Sequence, residues 1–419
     1  MSSMNRRQFI KFLGAASAAS ALTASMGIGA ATTAPRVVVI GGGFAGATVA
    51  KYLRLWGGNI DVTLVDPSAA HIACILSNLV VTNALSMSRI TLSYDSLRNK
   101  HGVRVVQDRA TAIDPVGRQV RLAGGSSLPY DRLVLAPGID FMPIPGWDPK
   151  KIPHAWQAGT QTTLLKNQLA NMPSRGTFVM TIPKAPYRCP PGPYERACVV
   201  ADYLKRRKPG SRVIVLDANP QIIVEPHTFG VAFNEIHKGV IEYYPNAAVT
   251  QVDSNTRTVS TTLGSFSASV LNVLPNMQAG KIVRDAGLAV DASNRWAPVD
   301  VLSYASTIHN DIHVIGDSQA SGQPKSGHMA NAQAKICADA ILRSFAGLPL
   351  NAAPTTNSAC YSPITATTAS YLTAGFQYDP ATRSMKLVSD SFGEADKISG
   401  DHYEAMFTWA NSLFGDSFG

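Results

Sequence analysis

The sequence predicts an α/β protein with two Rossmann-like dinucleotide-binding domains and a smaller α+β interface domain at the C-terminus. Three observations carry that prediction. A short β-branched run meets a glycine-rich turn at residue 41, a second strand-and-helix unit begins near residue 176, and a late strand ends in Gly316-Asp317. With 419 residues, 45% of them apolar and 16% charged, the chain has room for two or three domains and is too apolar to stay disordered.

The first 34 residues do not read as fold. Asn5-Arg6-Arg7-Gln8-Phe9-Ile10-Lys11 is a twin-arginine pattern, followed by an Ala/Ser-rich stretch and the small residues Gly29 to Ala31. This is a secretion signal of the kind that exports folded proteins, so a periplasmic location is expected. Beyond it no run reaches the ~18 apolar residues that suggest a membrane span. The formal net charge of +9 becomes mildly basic once Arg6, Arg7 and Lys11 leave with the signal. No basic run interleaves with aromatics, so a nucleic-acid partner is not expected.

Residues Arg36–Ile40 form the first strand, and Gly41-Gly42-Gly43-Phe44-Ala45-Gly46 follows at once. A helical pattern runs over 45–55, and a second strand over 60–65 ends at Asp66. Strand, G-x-G-x-x-G, helix, strand and acidic residue together make a dinucleotide-binding fingerprint. The glycines let backbone N–H groups approach a pyrophosphate at the helix N-terminus, and Asp66 is placed to accept from a ribose hydroxyl. Short alternating strands follow over 103–120, and a strand over 130–136 closes on Pro137-Gly138. Much later, residues 311–315 form a strand ending in Gly316-Asp317, and a helix spans 327–345. This order resembles two-domain flavoproteins of the glutathione-reductase type. There the aspartate matching Asp317 binds the flavin ribityl chain. The cofactor domain is therefore assigned to 35–151 and 300–345.

The interrupting segment, 152–299, reads as a second dinucleotide-binding domain. Its first strand, over 176–182, should be followed by glycines. Instead the chain has Pro183-Lys184-Ala185-Pro186-Tyr187-Arg188-Cys189-Pro190-Pro191-Gly192-Pro193. Prolines lack the N–H groups that would cradle a pyrophosphate. The helix over 194–206 and the strand over 212–216 are kept, so the fold is expected without the nicotinamide site. The remainder, 346–419, is read as a lid or interface domain with strands at 370–376 and 385–388 and a helix over 402–414.

Five cysteines are present. Cys198 and Cys337 sit in apolar helical patterns and read as core thiols. Cys74, Cys189 and Cys360 fall in loop-like settings and are the candidates for chemistry. Cys189 lies beside Arg188 and just ahead of a helix, where its thiolate should be favoured. Glu195, in the first turn of that helix, is a candidate proton acceptor. Cys189 and Cys360 could meet over a cofactor as a redox pair or tie two domains as a structural disulfide. Spacing alone leaves both readings open.

Several of these motifs occur together in one family. The Gly41 to Gly46 turn, Cys74-Ile75-Leu76-Ser77-Asn78, Arg188-Cys189-Pro190-Pro191-Gly192-Pro193-Tyr194-Glu195, Gly316-Asp317 and Asn357 to Ser362 make the chain resemble the flavoprotein subunit of flavocytochrome c sulfide dehydrogenase. The proline-flanked cysteine followed by Tyr-Glu is the most specific of them. The resemblance implies FAD bound through Gly41, Gly43, Phe44, Ala45, Gly46, Asp66, Gly316 and Asp317, with a thioether from Cys74 to the flavin 8α-methyl. It implies a redox-active disulfide between Cys189 and Cys360 with Glu195 beside the flavin, oxidation of sulfide, and a c-type cytochrome partner. The chain has no C-x-x-C-H with which to attach a haem itself. It departs from the pattern in placing Ala73 and Ile75 where aromatic residues are expected around Cys74. Two alternatives stand beside this reading. One is a sulfide:quinone oxidoreductase, with Phe407, Trp409 and Phe414 lining a quinone pocket or dipping into a bilayer. The other is a non-catalytic flavin-binding docking protein.

Overall fold

The computed structural model describes residues 34–419, so the twin-arginine pattern lies outside the described residues. Strand β1 (Arg36–Ile40) is followed by helix α1 (Phe44–Gly57) and strand β2 (Asp61–Asp66). The short helix α2 (Ser77–Val81), β3 (Arg104–Gln107) and β4 (Arg132–Leu135) complete the first pass. The chain then builds β5 (Thr177–Ile182), α3 (Gly192–Arg207), β6 (Arg212–Asp217), β7 (Ile241–Tyr244) and β8 (Val270–Asn272). It returns through β9 (Ile312–Val314) and α4 (Gly327–Phe345). It ends in β10 (Thr355–Pro363), β11 (Ala369–Asp379), β12 (Ser384–Leu387), β13 (Gly393–Glu394) and α5 (Gly400–Phe418).

The first sheet runs β9-β4-β1-β2-β3 in parallel, with the short strands Val299–Asp300 and Ala305–Ser306 antiparallel on its β9 edge. Strand β1 sits at its centre. Val37 and Val39 are completely buried and Val38 nearly so. Parallel strands covered on both faces read as continuous apolar runs, and β1 does. Burying each such valine contributes about 1.5–3 kcal/mol. The second sheet, β7-β6-β5-β8, is also parallel. One apolar cluster joins the two, from Val38 and Leu133 through Trp156 to Phe178 and Val200.

The third sheet is antiparallel. Its strand β10 corrects the sequence reading: Cys360 lies on a strand, not in a loop. Residues 355–363 carry little of the apolar, β-branched signal that marks a strand, yet they pair with β11 from Thr355↔Gln377 to Pro363↔Ala369. Helix α5 is four residues longer at its C-terminal end than the expected 402–414. Ser326 and Ser399 cap α4 and α5 by accepting from the N–H groups of Met329 and His402, at 3.2 Å each. Such caps contribute about 1 kcal/mol apiece. The end of α5 docks on α1. Lys51 Nζ donates to the Gly415 and Asp416 carbonyls at 3.1 and 3.0 Å, and Tyr52 donates to Asp416 Oδ1 at 2.6 Å. Phe418 then packs edge-on to Phe44 and stacks on His71, centroids 5.6 and 5.5 Å apart.

Candidate active site

The C-terminal ends of β1 and β2, and the residues just after β4 and β9, line one large cavity of about 930 Å³. That is near the top of the ~300–1,000 Å³ range of cofactor sites. The glycine turn forms one end. Gly41 has φ +100°, and a Cβ there would lie 2.4 Å from the Ala136 carbonyl oxygen. Helix α1 starts without a side-chain cap, which leaves its first N–H groups free for an anion. Gly43, Phe44, Ala45 and Asp66 line the cavity, as expected of cofactor contacts. Asp66 Oδ2 accepts from Gly42 N at 2.6 Å and Oδ1 from Ser68 N at 2.8 Å, which orients the carboxylate at the end of β2.

Gly46 does not line the cavity. A Cβ there would sit 1.8 Å from the Gly41 carbonyl oxygen, so this glycine allows α1 to pack closely on β1. Gly316 and Asp317 line the wall beside the helix start, where a Cβ on Gly316 would meet Ala45 Cβ at 3.1 Å, and Asp317 Oδ1 is buried with no hydrogen-bond partner. Burial raises the Asp317 pKa, and the Arg188 guanidinium opposes that rise. An orphaned acceptor in the same cavity as a glycine-lined, uncapped helix start fits a flavin dinucleotide, whose ribityl hydroxyls would supply the missing donor.

The three candidate cysteines line this same cavity. Cys74 lies just before α2, with its Sγ 3.4 Å from Arg188 Nη2 and 3.5 Å from the Trp156 carbonyl oxygen. Arg188 Nη1 also faces Asp317 Oδ2 at 3.7 Å, so one guanidinium spans both groups. Cys189 comes from the proline-rich loop and Cys360 from β10. No disulfide joins them in this structure. They reach the cavity surface but are otherwise packed in protein. The loop is pinned by Cys189 N donating to the Lys325 carbonyl at 2.7 Å and by Trp156 Nε1 donating to the Arg188 carbonyl at 2.9 Å.

The expected thiolate at Cys189 is corrected by the structure. Burial pushes its pKa well up, and Cys360 and Glu195 add to the rise. The Gly192 N–H and Arg188 oppose it without reversing it. Cys360 is likewise pushed up to about 12, mainly by burial. Cys198 and Cys337 are fully buried core thiols.

Glu195 also lines the cavity. Burial raises its carboxyl to about 8, opposed by a hydrogen bond from Asn78 and by Arg196. Arg196 is a residue that the sequence reading missed. It is buried at 1% exposure, with its guanidinium 4.7 Å over the Trp156 ring. It donates to Asn78 Oδ1 at 2.9 Å, Asn272 Oδ1 at 2.9 Å, the His154 carbonyl at 3.0 Å and the Ala155 carbonyl at 2.5 Å. An arginine immediately ahead of the apolar stretch Ala197 to Ala201 in a helix was the available signal. His328 was missed as well. Its Nδ1 accepts from Ala359 N at 3.0 Å and from Trp409 Nε1 at 3.2 Å, so a neutral ring would carry its proton on Nε2.

Of the aromatics on α5, Trp409 lines the cavity, Phe414 packs against Phe44, and Phe407 packs on the Leu79–Val199–Met406 cluster. Among the described residues no helix is long and apolar enough to cross a membrane, and no group of three or more His, Cys, Asp or Glu residues could hold a metal ion.

Comparison with known proteins bears on the family and the fold. Residues 162–275 match the family described as sulfide dehydrogenase (flavocytochrome c) flavoprotein chain, central. Residues 35–171 match the pyridine nucleotide-disulphide oxidoreductase family. Residues 3–23 match the twin-arginine translocation signal, which directs the chain to the periplasm. The sulfide dehydrogenase (flavocytochrome c) flavoprotein chain of Chlorobaculum thiosulfatiphilum is 58% identical over 45 residues, 11% of this chain and 94% of that sequence. The mitochondrial sulfide:quinone oxidoreductase of Mus musculus is 25% identical over 322 residues, 72% of this chain and 69% of that one. The solved sulfide:quinone oxidoreductase of Aquifex aeolicus superposes with a TM-score of 0.73 at 19% identity, over 92% of each chain, which concerns the fold alone. The resemblance read from the motifs is borne out.

Proposed function

We propose that the chain oxidises sulfide to zero-valent sulfur or polysulfide through a Cys189–Cys360 redox disulfide and FAD, and passes the electrons to a c-type cytochrome subunit. The observation that carries this is the convergence of Cys74, Cys189, Cys360 and Glu195 on one cavity with the glycine turn and Asp317. Gly41, Gly43, Phe44, Ala45, Asp66, Gly316 and Asp317 would hold the FAD, and Cys74 would bond to its 8α-methyl. Bound FAD would take up an electron pair and release it one electron at a time.

The chain's own groups manage sulfur and protons. Hydrosulfide attacks one sulfur of the Cys189–Cys360 bridge. One S–S bond breaks, a persulfide S–S bond forms, and the other cysteine leaves as thiolate. Oxidation of H₂S to zero-valent sulfur releases two protons and two electrons. Glu195, with its pKa near 8, is a carboxyl that can exchange one of those protons near neutral pH. Arg196 and Asn78 hold it in place.

The tight fill of the proline-rich loop supports the loss of a nicotinamide site. A Cβ on Gly192 would come within 2.8 Å of Cys189 Sγ and of Trp156. The experiment is an anaerobic titration of the oxidised flavin spectrum with sulfide and, separately, with NADH. Bleaching by stoichiometric sulfide alone is expected. Bleaching by NADH alone would overturn the reading.

A second reading, delivery to quinone, draws on the aromatic rim formed by Tyr361 and Trp409. It predicts reduction of a soluble quinone in place of cytochrome c, and retention on membranes after a salt wash.

A further inference from the structure

Behind the redox pair lies a second buried carboxyl that the sulfide chemistry above does not use. Glu225 is 1% exposed, although it belongs to the segment preceding a short helix, where a charged side chain ordinarily meets water. Its backbone is left-handed, with φ 49° and ψ 49°, a conformation that non-glycine residues rarely adopt. Its Oε2 accepts from Ser362 Oγ at 2.9 Å. Its Oε1 is buried with no hydrogen bond. The nearby Ser370 hydroxyl is shared at 3.0 Å with Thr228 Oγ1.

The groups that act on Glu225 include Ser362 and Cys360 on β10, Ser370 on β11, Glu394 on β13, and Glu195 and Cys198 on α3. None of them is a cation. Glu394 is itself held by Thr228 N at 2.6 Å. A buried carboxyl among hydroxyls, acids and thiols resists ionisation, and burial raises Glu225 to about 8.

Ser362 is the link to the chemistry. Side chains two apart on a strand project from the same face, so Ser362 and Cys360 share one face of β10. Glu225 therefore grips the strand one same-face position beyond the thiol. After burial itself, a charge on Glu225 is the largest influence that raises Cys360, ahead of Glu195. A hydrogen bond from Ser358, the next same-face position on the other side, lowers it.

We propose that Glu225 is a positioning residue for Cys360: its carboxyl, held by Ser362 one same-face position along β10, sets how strongly a negative charge on Cys360 is opposed. No bond to Glu225 forms or breaks. While Glu225 keeps its proton, a thiolate leaving on Cys360 is tolerated. Once Glu225 ionises, the same thiolate faces a buried like charge and takes up a proton instead. This rests on the redox reading of Cys360, but the charge coupling is measured without sulfide.

The test uses the reduced, FAD-loaded protein with Cys189→Ser, so that Cys360 has no bridging partner. Cys360 modification by iodoacetamide is followed by peptide mass spectrometry from neutral to alkaline pH, with Glu225 intact and with Glu225→Gln. The midpoint of the reactivity profile should fall by about one pH unit, the coupling at which two acids titrate as a pair. At a fixed pH below both midpoints this is roughly a tenfold faster modification. Glu225→Met, uncharged and of similar length, should move the midpoint the same way. It carries the test if Glu225→Gln does not fold. An unmoved midpoint in the variants that fold overturns the proposal. So does a Cys360 that is unreactive at every pH in all of them, since Glu225 would then have no thiolate to control. A protein that shows the shift yet leaves sulfide untouched would instead refute the proposed activity.

Discussion

Asn78 Nδ2 donates to Glu195 Oε1 at 2.8 Å, while Asn78 Oδ1 accepts from Arg196 at 2.9 Å. One amide thus holds a buried acid and a buried base in fixed register. The donor side favours the carboxylate. Replacing Asn78 with Leu should raise the Glu195 pKa further. The alkaline limb of sulfide-driven flavin reduction should then move to higher pH, which stopped-flow profiles would read directly.

The raised Glu195 pKa also has a sign for stability. Its ordinary value is 4.5 and its folded value about 8, so the folded state binds the proton more tightly. Stability from this group is full below about 4.5 and is lost as pH rises through about 8. Glu195→Gln should flatten that decline. Melting temperatures at about pH 5 and about pH 9 would differ less in the variant than in the parent. An unchanged difference would mean that Glu195 is not buried as described.

Either Cys189→Ser or Cys360→Ser should abolish bleaching by sulfide and leave the bound flavin spectrum intact. The losses should not add in the double variant, because the two thiols act as one unit. Full activity in both single variants would rule out the disulfide scheme.

Cys74→Ser should convert the flavin from acid-stable to acid-extractable. Flavin fluorescence would appear in the supernatant after acid precipitation. If the parent already releases its flavin on acid treatment, the thioether does not exist, and Arg188 at 3.4 Å from Cys74 Sγ serves only to bridge toward Asp317.

The glycine turn separates two roles. A Cβ on Gly43 would meet only His71, at 3.6 Å, whereas one on Gly46 would lie 1.8 Å from the Gly41 carbonyl oxygen. Gly43→Ala should fold normally and bind FAD more weakly. Gly46→Ala should lower the melting temperature, with a cost of about 1–3 kcal/mol from overpacking.

Much of this architecture was legible because its signals are local. The turn at Gly41 to Gly46 and the acid closing β2 are contiguous in sequence, and so is the proline-rich loop that displaces a second glycine turn. What stayed hidden depends on distant segments. Arg196 is understood only when Asn78, His154 and Asn272 surround it. The Cys189 thiolate was expected from a neighbouring arginine and a helix start, but burial outweighs both. Strand β10 escaped notice because its pairing with β11, not its own composition, makes it a strand. The sequence offers Phe407 and Phe414 for a quinone pocket or a bilayer, and in the fold Phe414 packs on Phe44 while Phe407 lies half-buried on the Leu79–Val199–Met406 cluster.

The docking of α5 onto α1 has a consequence for assembly. Phe418 closes against Phe44 and His71 beside the turn that begins the cofactor domain, and Lys51 binds the carbonyls of Gly415 and Asp416. The end of α5 therefore completes a domain whose first strand lies far upstream in the chain. That domain cannot finish folding on the ribosome before α5 emerges, and loss of Gly415 to Phe418 would be felt at the turn that opens it.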